Sequence, residues 1–142
     1  MSSFGTLLLA VDKSEQSGKA VGVARDLAKA CGGTVHVFHA LRHEQIVGRG
    51  GGSFEIESEE NARSLVAEEL AALEKAGVNV EVDVRRTLVE DTYRAILQVA
   101  EEISADVIIM GSRGLSPLGA LMLGSTTYKV LHASERPVLV VP

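Results

Sequence analysis

Two glycine-containing segments near the C-terminus have residue types and spacing that suit an anion. Residues 111–114 are Gly-Ser-Arg-Gly, and Gly124-Ser125 follows after nine further residues. Glycines let backbone N–H groups approach a phosphate closely, and the positive end of a helix dipole favours negative charge. An apolar run at residues 107–110 precedes the first segment, and a helical pattern follows the second. The spacing therefore predicts a phosphate-binding loop between a strand and a helix.

A second candidate group is the carboxylate of Asp12, which follows the apolar run Thr6–Val11. An acidic side chain can accept hydrogen bonds from ribose hydroxyls or from an adenine amine. The same side chain could instead cap the helix that follows. Ligand contact is favoured, because loops at the carboxyl ends of parallel strands carry ligands in α/β folds.

Other chemistry-bearing residues have simpler interpretations. Residues 119–126 come close to a P-loop pattern, but Ser125 stands where that motif needs lysine. His36 and His39 fall in a predicted central strand and are interpreted as core histidines rather than metal ligands. Cys31 is the single cysteine, so an intramolecular disulfide is excluded.

The elements that must position these residues alternate between strands and helices. Apolar runs predict strands at Thr6–Val11, Thr34–Leu41, Val78–Arg85, Asp106–Met110 and Pro137–Val141. Apolar residues at helical spacing predict a helix in each interval between them. This order indicates an α/β fold, namely a single-domain, open, Rossmann-like sheet of five parallel strands with helices on both faces.

Local signals refine this arrangement. Gly32-Gly33 should end the first helix, Ser58 should begin the second, and Asp91 or Thr92 should cap the third. The glycine-rich stretch 42–57 has no clear period and is expected to form a mobile loop. The third strand alternates valines with polar residues, which predicts an edge strand with one face in water.

Composition restricts the class of protein. The chain has 142 residues, 46% of them hydrophobic and 4% aromatic, with a net charge of −5. An acidic chain without a basic cluster argues against nucleic acid or an anionic membrane as a partner. The chain has no apolar run of the ~18 residues that a membrane span needs, and no signal-peptide pattern. We expect a cytoplasmic protein.

Three stretches together resemble the universal stress protein family, in its nucleotide-binding branch. They are Ala10–Ser17 (AVDKSEQS), the glycine spacing described above, and Arg136–Val141 (RPVLVV). The resemblance covers residues 1–142, which are expected to form one domain of this kind. It implies a sheet with the strand order 3-2-1-4-5, and therefore places the third strand at an edge.

The resemblance also implies a ligand and the residues that hold it. The ligand is ATP, with Mg²⁺ bound mainly through the phosphates. Adenine would lie near Ala10, Asp12 and the backbone of Ala40, and the ribose near Asp12 and Met110-Gly111. The phosphates would be held by Gly114, Gly124, Ser125 and Thr126. Many members have a Gly-x-Pro turn after the third strand, and residues 88–92 contain neither glycine nor proline.

The sequence thus favours an ATP-binding module of the stress response over two other classes. One alternative is a slow ATPase or phosphotransfer enzyme, although no general base is evident beside the glycine loop. The other is a ligand-free scaffold that acts through its dimer. The apolar strand Pro137–Val141 predicts a homodimer seam, because an exposed apolar edge invites pairing, and members of the family often dimerise there.

Overall fold

Strands and helices alternate along the chain in the computed structural model, which describes residues 4–12, 14–46, 52–55, 58–112 and 123–142. The strands are β1 (Thr6–Val11), β2 (Thr34–Ile46), β3 (Gly52–Glu55), β4 (Asn79–Leu88), β5 (Val107–Gly111) and β6 (Val138–Val141). The helices are α1 (Glu15–Cys31), α2 (Glu59–Lys75), α3 (Thr92–Glu102) and α4 (Ser125–Ala133), and a 3₁₀ turn covers Val89–Asp91.

Five of these strands form a parallel sheet in the order β4-β2-β1-β5-β6. This confirms the predicted order 3-2-1-4-5, counted along the parallel strands alone. The chain proceeds to one side of β1 with β2 and β4, and to the other side with β5 and β6. The order therefore reverses between β1 and β5, the position where ligands bind in open α/β sheets.

The sequence analysis predicted a mobile loop at residues 42–57. This prediction is wrong for residues 42–46 and 52–55, which belong to strands. Strand β2 continues to Ile46, and its last four residues pair antiparallel with β3. The prediction failed because backbone pairing between strands does not require apolar residues at a regular spacing. The periodicity of apolar residues therefore could not reveal these strands. Residues 47–51 and 56–57 lie outside the described part of the chain.

Apolar side chains pack on both faces of the sheet. The successive residues Leu7, Leu8 and Leu9 of β1 point to alternate faces, and all three are fully buried. Leu7 and Leu9 pack with residues of α1, such as Ala20, whereas Leu8 packs with residues of α3, such as Ile96. Full burial of one such side chain contributes about 1.5–3 kcal/mol to the free energy of unfolding. Strand β1 is therefore a well-packed support for Asp12, which follows Val11.

The edge position of β4 is confirmed, and the predicted division of its faces holds at Val78 and Val80, which belong to or pack against the core, but fails from Val82 onward. Val82 and Val84 are 46% and 41% exposed, whereas the side chains of Asp83 and Arg85 are only 26% and 30% exposed. The Arg85 guanidinium donates to Asp83 at 2.9 Å and also to Glu102 of α3. Helix α3 therefore reaches the polar face at Asp83 and Arg85, and the alternation of residue types could not indicate that contact.

The helix ends largely follow the sequence signals. Helix α1 ends at Gly32, whose left-handed φ of 69° confirms the predicted stop. Ser58 caps α2 by accepting a hydrogen bond from the Asn61 N–H. Asp91 occupies the N-cap position of α3, but its side chain makes no capping hydrogen bond.

No helix in the described part of the chain has the length and apolar character needed to cross a membrane. The cytoplasmic location stays a prediction.

Candidate functional site

A cleft of about 210 Å³ opens at the carboxyl ends of β1 and β5, beside residues 38–42 of β2. It lies where the strand order reverses, as the topology requires. Eight of the nine predicted site residues line it: Ala10, Asp12, Ala40, Met110, Gly111, Gly124, Ser125 and Thr126. The ninth, Gly114, lies outside the described residues. The structure thus brings together residues from three strands and one helix that are far apart in the sequence.

One part of the cleft is apolar. Ala40 and Met110 are buried, with 6% and 5% of their surface exposed, and Phe38 is buried beneath them in the same core cluster. Ile96 of α3 belongs to that cluster and also lines the cleft. Small and flexible apolar side chains around a narrow opening suit a flat, weakly polar ring.

Asp12 is not the N-cap of α1, so that interpretation of its carboxylate is wrong, and its contact with a ligand stays a prediction. The N-cap is Ser14, whose Oγ accepts a hydrogen bond from the Ser17 N–H at 3.1 Å. The Asp12 side chain lines the cleft, and its Oδ1 accepts from the Ser14 N–H at 2.7 Å. A carboxylate fixed to the backbone two residues ahead keeps a defined direction.

Gly111, the last residue of β5, lies against the first turn of α1. A Cβ at this position would come within 2.8–2.9 Å of Gln16 C, Gln16 Cβ and Ser17 N. Real Cβ atoms do not approach backbone atoms this closely, so the glycine is required by packing. The sequence analysis assigned this glycine to ligand approach, and the contact with α1 is an additional reason that the sequence did not reveal.

The phosphate end of the predicted site is the start of α4. Gly124 occupies the N-cap position, so no side chain caps the helix. The backbone N–H groups of an uncapped first turn are available to an anion, and the helix dipole favours negative charge there. Gly124 has φ −61° and ψ 151°, a conformation open to most residues.

Hydrogen bonds fix this first turn to the end of β5. The buried Thr127 Oγ1 donates to the Gly111 carbonyl at 2.8 Å. The Gly124 N–H donates to the Ser112 carbonyl, and the Ser112 N–H donates to the Val141 carbonyl, both at 2.8 Å. The start of α4, the end of β5 and the end of β6 therefore form one connected frame.

Several cleft residues were not identified from the sequence. They are Val11, Ser17, Phe38, His39, Arg42, Thr92, Ile96 and Thr127. Arg42 had a usable signal, because it follows Ala40 by two residues and so shares its face of β2. Thr92 begins α3 after the turn that replaces Gly-x-Pro, and its Oγ1 contacts Thr87 Oγ1 at 3.1 Å. No pattern indicated Ser17, because its role depends on the tertiary contact with β5.

The charged groups of the cleft are few. Among the described lining residues, Asp12 is the sole carboxylate and Arg42 the sole lysine or arginine. His39 is buried, and its Nδ1 lies 2.8 Å from the Val11 carbonyl, so Nδ1 carries the proton of that hydrogen bond. The described part of the chain holds no group of three or more His, Cys, Asp or Glu side chains suited to a metal ion.

Comparison with known proteins identifies one family. The family model described as "Universal stress protein family" matches residues 3–142. A universal stress protein of Thermus aquaticus is 37% identical over 138 residues, which cover 97% of this chain and 98% of that protein. The solved structure of the protein MJ0577 has a TM-score of 0.79 at 24% identity, and the match covers 98% of this chain and 96% of that one.

Two further solved structures have titles that name a ligand. A universal stress protein in complex with cAMP has a TM-score of 0.70 at 22% identity, covering all of this chain and 98% of that one. The universal stress protein of Archaeoglobus fulgidus in complex with dAMP has a TM-score of 0.70 at 20% identity, with both chains fully covered. At these identities the likeness is one of fold.

Proposed function

The chain belongs to the universal stress protein family, and from that premise we propose that it binds ATP in the cleft at the carboxyl ends of β1 and β5. Mg²⁺ would be held mainly by the phosphates of the nucleotide. The observation that carries the proposal is the uncapped start of α4, which opens into the same cleft as the Asp12 carboxylate and the apolar residues around Met110. An anion site, a hydroxyl acceptor and an apolar slot together match the three parts of a nucleotide.

The base and ribose lie on the β1–β2 side in this proposal. Ala10 and Ala40 contact the adenine ring, and Met110-Gly111 at the end of β5 contacts the ribose, as the family resemblance implies; all four residues line the cleft. The Asp12 carboxylate accepts from a ribose hydroxyl or the adenine amine. Two structural relatives are titled as complexes with the adenine nucleotides cAMP and dAMP, which supports the choice of base.

The phosphates lie on the β5–α4 side. Backbone N–H groups at Ser125 and Thr126 and the two hydroxyls of that turn donate to phosphate oxygens. Gly124, whose own N–H donates to the Ser112 carbonyl, contributes by having no side chain in the path of the phosphates. Gly114 is assigned to the same role from the family resemblance alone. A binding module is favoured over an enzyme, because the described lining residues include one carboxylate and one arginine, which is little for phosphoryl transfer.

The first experiment measures the melting temperature of the protein with ATP and Mg²⁺, ADP and AMP. At a free ligand concentration of ~100 Kd, the free energy of unfolding should rise by about 2.7 kcal/mol, which shifts the melting temperature by several degrees. GTP and CTP serve as matched ligands with the same phosphates and different bases. The absence of a shift with every adenine nucleotide at millimolar concentration would contradict the proposal.

A charge introduced at the start of α4 tests the phosphate assignment. Ser125→Glu places a carboxylate in the first turn, where it stabilises the helix dipole but repels a phosphate. We expect unchanged or slightly higher stability and at least a tenfold loss of ATP affinity. Asn61→Asp adds the same charge to the first turn of α2, outside the cleft, and should leave affinity unchanged. An equal ATP affinity in Ser125→Glu and wild type would exclude phosphate contact at this turn.

We also propose that the protein forms a homodimer through residues Pro137–Val141. Among the described strands β6 pairs only with β5, and its segment carries no charged side chain. Leu139 is 38% exposed, and the adjacent helix α4 exposes Tyr128 and Leu131. An unpaired, uncharged apolar edge is a surface on which a second copy can pair.

The two edges of the sheet provide a matched test of the dimer. Leu139→Asp on β6 and Val84→Asp on β4 place the same charge on residues of similar exposure, 38% and 41%. Light scattering at tens of micromolar protein should give monomers for Leu139→Asp and dimers for Val84→Asp and wild type. A monomeric wild type would contradict the proposed dimer, and a dimer lost only in Val84→Asp would show that the seam is assigned to the wrong edge.

A further inference from the structure

Ser17 sits at the junction of three parts of the cleft. It belongs to the first turn of α1, is 2% exposed and lines the cleft. Its backbone nitrogen lies in the region that a Cβ on Gly111 would enter. Its Oγ accepts a hydrogen bond from the Asp12 N–H at 2.8 Å. One buried hydroxyl therefore connects the end of β1 to the helix that packs against the end of β5.

The hydrogen bonds around Ser17 form a closed ring. The Asp12 N–H donates to Ser17 Oγ, the Ser17 N–H donates to Ser14 Oγ, and the Ser14 N–H donates to Asp12 Oδ1. An ordinary N-cap needs only the second of these contacts. The other two fix both the backbone and the carboxylate of Asp12, so the ring sets the position of the single carboxylate among the described cleft residues.

We propose that Ser17 is a positioning residue for nucleotide binding, which acts by holding Asp12 at a fixed distance from the β5–α4 side of the cleft. This inference rests on the proposed function, because Asp12 is the group that contacts the nucleotide. Ser17 can set the distance since the same residue packs against Gly111, at the end of β5. A carboxylate held in advance loses little freedom on binding, which improves affinity without a new contact.

A double-mutant cycle tests this role. Ser17→Ala removes the acceptor for the Asp12 N–H and should weaken ATP binding by about five- to tenfold, the equivalent of one neutral hydrogen bond. In an Asp12→Ala background the same change should alter affinity less than twofold, because no carboxylate is left to position. The loss of thermal stability caused by Ser17→Ala should be the same in both backgrounds. Additive affinity losses would overturn the proposal.

A matched control separates positioning from helix capping. Ser58→Ala removes the N-cap of α2, where Ser58 Oγ accepts from the Asn61 N–H at 3.1 Å, and Ser58 is not among the residues lining the cleft. It should reduce stability through the loss of a helix cap and leave ATP affinity unchanged. If Ser17→Ala does not fold, Ser17→Cys keeps the volume and replaces the hydroxyl with a weaker acceptor.

Amide hydrogen exchange makes the test independent of the ligand. In the nucleotide-free protein the Asp12 amide should exchange at least tenfold faster in Ser17→Ala than in wild type, while the Leu9 amide in β1 stays protected. Unchanged exchange at Asp12 would overturn the proposed role of Ser17 even if ATP binds. If wild type binds no nucleotide but exchange at Asp12 rises, the proposed function fails and the structural contact stands.

Discussion

The polar groups at the amino end and at the carboxyl end of the parallel sheet differ in what they contact. At the amino end the loops bond to one another. The Thr6 N–H donates to Asp106 Oδ2 at 2.9 Å and the Asp106 N–H donates to the Thr6 carbonyl at 2.8 Å, while Arg136 Nε donates to the Ala105 carbonyl. At the carboxyl end the Asp12 carboxylate and the uncapped turn at Gly124 line a cleft. Polar groups thus bond to one another at the amino end and line an open cleft at the carboxyl end.

Each end also contains one glycine that has no room for a side chain. A Cβ on Gly33 at the amino end would lie 2.5 Å from the Phe4 carbonyl oxygen and 2.6 Å from Leu7 Cδ1. A Cβ on Gly111 at the carboxyl end would meet the first turn of α1. Of these two glycines only Gly111 lies beside the cleft. Substitution of Gly33 should therefore change stability alone, whereas substitution of Gly111 should change both stability and ATP affinity.

Gly33→Ala should have the largest effect on stability. The new Cβ collides with backbone as well as with a core leucine, and overpacking of this kind costs about 1–3 kcal/mol, here at the upper end. Urea unfolding should show the loss. The ATP affinity of the folded protein should not change, because the amino end is closed off from the cleft. A weakened affinity in this variant would show that the two ends of the sheet are coupled.

Gly111→Ala should have the next largest effect and should affect both properties. The methyl group pushes the first turn of α1 away from β5, which we expect to cost about 2 kcal/mol of stability. The same shift displaces Ser17 and Asp12, so ATP affinity should fall at least tenfold. Urea unfolding and calorimetric titration on the same sample provide both values. A loss of stability with full affinity would show that the contact with α1 does not shape the cleft.

Two aspartates extend the comparison with smaller effects. Asp106→Asn removes the charge that accepts from the Thr6 N–H and should lower stability by about 1 kcal/mol with no change in affinity. Asp12→Asn keeps the size of the side chain at the cleft and should weaken ATP binding about tenfold, with a smaller change in stability. If Asp106→Asn weakened ATP binding and Asp12→Asn lowered stability alone, the roles given to the two ends of the sheet would be reversed.

The smallest effect concerns pH and Glu102, which lies at the end of α3. The Arg85 guanidinium hydrogen-bonded to Glu102 lowers the pKa of that carboxyl from its ordinary value of 4.5. A lowered pKa in the folded state means that the stabilisation is present above the unfolded value and disappears as pH falls through the folded value. Wild type should unfold at a higher urea concentration than Glu102→Gln at pH 6, and the difference should shrink as the pH falls below the ordinary pKa of 4.5. A difference independent of pH would exclude the ionic contribution.

Patterns that depend on local sequence predicted well. The five parallel strands and the C-terminal end of α1 follow from apolar runs and from glycine at the C-cap, whereas the strand order was implied by the resemblance to the family. These signals are local because a buried strand must be apolar throughout and a helix must end where the chain turns. The pairing of β2 with β3 and the exposure of Val82 were not predicted, because backbone pairing and helix cover depend on residues far away in the chain.

The candidate site likewise has features that the local sequence predicts and features that only the folded chain shows. The position of Asp12 after β1 and the Gly124-Ser125 pair before α4 are recognisable in the sequence because the end of a strand and the start of a helix are local features. That Ser14 rather than Asp12 caps α1 also concerns neighbouring residues, but several capping patterns fit the same stretch. The hydrogen bonds of the folded chain were needed to choose among them.

The sequence by itself determined that a glycine follows the buried strand β5 and that a carboxylate follows β1. Only the tertiary structure showed that the two residues are close in space and how they are connected. Gly111 touches the turn that contains Ser17, and Ser17 accepts a hydrogen bond from the Asp12 N–H. Residues so far apart in the chain meet because the sheet places β5 beside β1, and a distance set by packing across strands has no counterpart in the spacing of residues along the chain.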